Sequence, residues 1–89
     1  MTEFEFLCKK AGFSDLRVKD NHKDLSLQRQ GIFFRMRLNG NKISEIAKQA
    51  ERDPATIMYG IRTFSKFLGT GDEYAEALWY RINNGVELG

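Results

Sequence analysis

The sequence predicts an all-α fold, a small domain of four to five helices, and three observations carry that expectation. Apolar residues recur at spacings of three and four in five separate stretches. Helix start signals stand ahead of four of these stretches and glycines follow four of them. Strand-like alternation is confined to one short run, and the residues after it return to helical period.

The first helix is expected at 2–11. Thr2 and Glu5 fit a capping box, Phe4, Leu7, Cys8 and Ala11 form the apolar stripe, and Gly12 is the terminator. Residues 13–23 lack clean periodicity, and Asp20-Asn21-His22 reads as a loop. A helix follows at 25–38, with Asp24 or Ser26 as N-cap and Leu27, Gly31, Phe34 and Leu38 at spacings of four, three and four. Its rival is a hairpin, because Phe34, Met36 and Leu38 alternate with Arg35 and Arg37 and run into Asn39-Gly40. The stripe Ile43, Ile46, Ala47 and Ala50 shows helical period where a returning strand must alternate, so 39–41 is read as a helix stop. Gly31 costs helix stability and is expected to let another helix come close.

Residues 42–68 read as a helix-turn-helix. Asp53 and Pro54 are a strong start signal for its second helix, since a carboxylate accepts from the open first turn and proline suits the first helical position. Ile57, Ile61, Phe64 and Leu68 form the inner stripe, and Ala55, Tyr59, Arg62 and Lys66 the opposite face. Two helices on so short a turn cross steeply, and Ala47 is small enough to permit the approach. Glu51 and Arg52 are unusual in such a turn. A last helix is expected at 71–83, opened by a capping box at Thr70-Gly71-Asp72-Glu73. Tyr74, Ala75, Leu78, Trp79 and Ile82 lie on its apolar face, with Trp79 and Tyr80 as core or boundary residues.

At 89 residues the chain is read as one domain, 1–89. One cysteine excludes an internal disulfide, and with one histidine there is no Cys/His zinc set, so no metal and no cofactor are expected. No apolar run spans a bilayer and the acidic N-terminus is unlike a signal peptide, which leads to the expectation of a cytoplasmic protein. Cys8 falls on a core stripe and His22 has no acid or nucleophile beside it in the pattern, so no enzyme is expected. Charge is uneven: residues 25–69 hold eight Lys/Arg against three Asp/Glu, and residues 70–89 hold one against four. The excess falls where a polyanion-binding surface needs it.

The stretch RDPATIMYGIRTF, preceded by ISEIAKQAE and RQGIFFRMRL, resembles the C-terminal DNA-binding domain of the bacterial replication initiator DnaA, whose fold is similar to that of the Trp repressor. The resemblance covers about residues 25–67. Arg52, Asp53, Thr56, Ile57, Met58 and Arg62 match the family signature, whereas Pro54 and Ala55 stand where the family has a base-reading His and Thr. An Arg that enters the minor groove in the family aligns with Leu27, with Arg29 two residues away. No GxxxxGK[ST] loop is present, so no nucleotide cofactor is expected.

The resemblance and the charge pattern together imply duplex DNA binding, in replication initiation or transcription regulation, with the second helix in the major groove. Asp53 caps that helix and is placed to accept from a cytosine amino group, while Pro54, Ala55 and Met58 offer apolar contact to a thymine methyl. Arg52, Thr56, Tyr59, Arg62 and Lys66 are the expected phosphate contacts, with Arg29, Lys42, Lys48, Arg35 and Arg37 as further candidates. A second copy of the chain or another protein is a further expected partner. The alternative is a protein-interaction adaptor or inhibitor on the same scaffold, which the divergent base-reading positions favour.

Overall fold

A computed structural model describes residues 1–17 and 22–85. It contains five helices: α1 (Glu3–Lys10), α2 (Lys23–Leu38), α3 (Ile43–Ala50), α4 (Pro54–Gly69) and α5 (Glu73–Asn84). There is no strand among the described residues. The fold is all-α, and no described helix is long and apolar enough to cross a membrane. The loop expected at 13–23 is described only in part, because residues 18–21 fall outside the described residues.

α2 is the axis of the molecule. It packs on all four other helices, most extensively on α4. This explains why the single stripe expected for it is not what is buried. Arg29, Gly31, Ile32, Phe33 and Met36 are buried, whereas Leu38 is 56 % exposed and Leu27 and Phe34 are half-buried. A one-stripe pattern presumes one packed face; a helix touched on several sides buries residues all round. Phe34 instead joins Phe64 and Trp79 in an aromatic cluster, with ring centroids 5.1–6.0 Å apart.

Gly31 does permit a close approach: a Cβ there would lie 2.7 Å from Cδ1 of Ile82 and 3.1 Å from the Phe64 ring, so α5 and α4 both close on it. Gly60 does the same on α4, where a Cβ would meet Phe33 and Gln30 at 3.0 Å. The two glycines thus bring the backbones of α2 and α4 together from opposite sides.

The caps explain where the helices begin and end. Thr2 and Glu5 form the expected capping box. α2 departs from expectation: it starts at Lys23 behind His22, which makes no side-chain cap. Asp24 falls instead in the first turn, where its charge meets the positive end of the helix dipole. The Tyr74 phenol has its pKa raised by burial first and by the nearby Asp24 carboxylate second. Residues 39–41 are a helix stop and not a hairpin turn, with Gly40 at φ 99° and the Asn41 amide donating back to Met36 O. The box expected to open the last helix is also replaced. Thr70 closes α4 by donating its hydroxyl to Phe67 O, and Asp72, accepting from Ala75 N at 2.8 Å, opens α5. Tyr80 is not core or boundary but 55 % exposed.

Candidate nucleic-acid interface

α3 and α4 are joined by Glu51, Arg52 and Asp53. α3 buries Ile46, Ala47 and Ala50, and α4 buries Ile57, Gly60 and Phe64. Glu51 turns the chain at φ 56°, ψ 48°, the left-handed conformation that glycine usually supplies at this point. Asp53 Oδ1 then accepts from Ala55 N at 2.9 Å and Pro54 takes the first helical position, so the start of α4 is fixed by its own sequence. With its inner face held against α2 and α3, α4 presents Ala55, Tyr59, Arg62 and Lys66 outward; all four are exposed, Tyr59 at 63 %.

The outer face grades along its length. Its first turn offers the short side chains of Pro54, Ala55 and Thr56, all exposed, and the longer Arg62 and Lys66 follow about two and three turns later. α4 contains no acidic residue. Arg62 and Lys66, four residues apart, are therefore like charges on one helix face without compensation, an arrangement that weakens a free helix by about 0.2–0.5 kcal/mol.

The arginines separate into two kinds. Six of the seven are tied into the fold. Arg17 is bidentate on Asp15, and Arg29 Nε donates to Leu16 O at 2.7 Å. Arg35 donates to Asn39 and Asn83 and lies over Trp79. Arg37 donates to Asn41 O, and Arg52 to the carbonyls of Arg17, Ala50 and Glu51. Arg81 reaches Ala11 O and the Phe13 ring. Among the described residues Arg62 alone of the arginines has no hydrogen bond, ion pair or ring contact.

The expected site residues therefore do not all meet on one surface. Asp53, Pro54, Ala55, Thr56, Met58, Tyr59, Arg62 and Lys66 lie along the exposed side of α4. Arg29 does not: at 5 % exposure, with its guanidinium on Leu16 O, it is a core residue and is removed from the surface set. Arg52 is half-buried and turned back onto backbone carbonyls, so it braces the 51–53 turn. Lys48 is exposed but shares a shallow groove with Glu45 and Glu51, on the side of Thr2 and Arg17. Lys42 is exposed immediately ahead of α3.

Two surface grooves flank α4. One, about 300 Å³, has an apolar floor of Ile43, Met58 and Ile61 between Arg37 and Arg62. Sequence spacing gave no reason to pair Arg37 with Arg62, which are 25 positions apart; the end of α2 brings them together. The other, about 410 Å³, is lined by Leu27, Gln30, Tyr59, Thr63, Phe67 and Tyr74 among others. Cys8 lies on neither. It is buried on α1, and burial pushes its thiol up to about 11, leaving it neutral at ordinary pH.

Comparison with protein-family models, curated proteins and solved structures finds no match to this chain.

Proposed function

We propose that the chain binds duplex DNA, with α3–α4 acting as a helix-turn-helix and the outer face of α4 lying in the major groove. One observation carries the reading: Arg62, unlike every other arginine of the chain, is left without a partner among the described residues, and it stands one turn ahead of Lys66 on an acid-free helix. Leaving like charges unpaired costs stability, and phosphate is the ligand that removes that cost. Arg37 across the groove and Lys42 ahead of α3 extend the cationic rim. The resemblance of residues 25–67 to the DnaA C-terminal domain supports the same reading and gives it a setting, replication initiation or transcription regulation in a bacterial or phage-infected cytoplasm.

The test is a titration against random-sequence duplexes at two salt concentrations. Log K should fall steeply with log salt, and the Arg62→Ala/Lys66→Ala double variant should lower that slope by about 1.8, since each phosphate contact contributes about 0.9. An unchanged affinity and slope in a folded double variant would refute the placement of α4.

A second reading is a protein-interaction adaptor on the same scaffold. The groove of Leu27, Tyr59, Phe67 and Tyr74 beside α4 favours it, because it leaves apolar surface open next to the outer face. Absence of any duplex retardation at low salt, together with a stoichiometric protein partner, would select it over DNA.

A further inference from the structure

We infer that α4 selects its DNA by the 5-methyl group of pyrimidines, so that thymine and 5-methylcytosine are favoured over uracil and cytosine at the contacted steps. The inference rests on the DNA-binding reading and names the feature of the duplex that its first turns would recognise.

Base edges in the major groove are read by hydrogen bonds, except that thymine also offers a methyl group. The first two turns of α4, residues 54–61, run PATIMYGI and contain no Arg, Lys, Asn or Gln. The bidentate pairings that identify guanine and adenine therefore have no donor there. Asp53 has one carboxylate oxygen committed to the Ala55 amide at 2.9 Å, and the hydroxyls of Thr56 and Tyr59 can make only single hydrogen bonds that do not by themselves identify a base. Beside those hydroxyls the two turns present the apolar Pro54, Ala55 and Met58, all exposed.

Met58 is the telling residue. It is 49 % exposed on a helix whose inner face is fully packed, and it lines the apolar floor with Ile43 and Ile61. Arg37 and Arg62 bound that floor on a scale of about 300 Å³. An apolar groove lined also by Arg37 and Arg62 is suited to a methyl-bearing base edge beside phosphates. A first turn whose only side-chain donor is the short Thr56 hydroxyl, followed by a polarizable thioether, is better suited to methyl contact than to bidentate reading of polar edges.

The experiment uses the full chain and four duplexes of equal length: alternating A·T, the same with deoxyuridine for thymine, alternating G·C, and the same with 5-methylcytosine for cytosine. Burying one methyl corresponds to roughly fourfold in affinity, so two contacted methyls should favour each methylated duplex by roughly ten- to twentyfold over its unmethylated partner. The Ala55→Ser/Met58→Gln variant, altered only at exposed positions, should lose this ratio and keep the salt slope. Equal affinity within both pairs, with the salt slope intact, overturns the inference and leaves DNA binding standing. A methyl preference that survives in the double variant overturns the assignment to these residues. Failure to bind any of the four duplexes at low salt overturns the DNA-binding reading itself.

Discussion

Arg29 and Arg62 are the same residue type on adjoining helices, and their fates differ completely. Arg29 is swallowed by the core with its Nε on Leu16 O, whereas Arg62 stands in solvent with no partner among the described residues. The difference teaches that a count of cations along a chain is not a count of charge on a surface. A guanidinium carries five donors in a planar fork and satisfies stray carbonyls well, so arginines near helix ends and turns are drawn into brace positions. Lysine, a compact and strongly hydrated charge, stays outside. Of the eight cations in residues 25–69, Arg29, Arg35, Arg37 and Arg52 hydrogen-bond within the fold, Arg37 alone of these four remaining exposed, and the cationic face is narrower than the sequence implies.

The comparison can be broken most sharply at Arg29. Replacing it by Ala strips a charge-assisted hydrogen bond and leaves a buried carbonyl unpaired, so it should lower unfolding free energy by about 3 kcal/mol. Urea denaturation followed by circular dichroism measures this, and a loss below about 1 kcal/mol would mean the guanidinium is no brace. Arg52→Ala, which removes a half-buried guanidinium whose Nη1 is shared among three carbonyls, should cost about 1–2 kcal/mol by the same measurement. Glu51→Gly should act in the opposite sense. Glycine tolerates φ 56° without the penalty of a Cβ, so a gain of about 0.5–1 kcal/mol is expected, less the small contribution of the exposed Arg17–Glu51 pair at 3.8 Å. Arg62→Ala and Lys66→Ala should each change stability by less than about 0.5 kcal/mol, because nothing in the fold holds them. A large destabilisation at either position would erase the distinction between the two kinds of cation.

The helices were legible because their signals are local. Capping at Thr2, the Asp53-Pro54 start and the stripe Ile43, Ile46, Ala47, Ala50 depend on residues within one or two turns of each other. The outer face of α4 was legible for the same reason, since exposure of Tyr59, Arg62 and Lys66 is the complement of a clear inner stripe. What was hidden is long-range. That Arg29 ends on Leu16 O, or that Arg37 faces Arg62 across a groove, depends on how α2 is placed among its neighbours, and no spacing within α2 encodes it. The start of α2 was misread because Asp24 is a good cap by composition yet has a better use inside the first turn, against Tyr74. Thr70 was misread for a related reason: two adjacent helix ends compete for one hydroxyl, and the carbonyl of Phe67 takes it.

The turn at 51–53 is fastened twice to the segment that follows α1, by Arg52 donating to Arg17 O at 3.1 Å and by the Arg17–Glu51 pair. Two stretches 35 positions apart thus share one clasp, so opening of the 51–53 turn breaks its contacts with residues 15–17. Deuterium uptake at the amides on either side of that clasp is accordingly governed by a common opening event rather than by two independent ones.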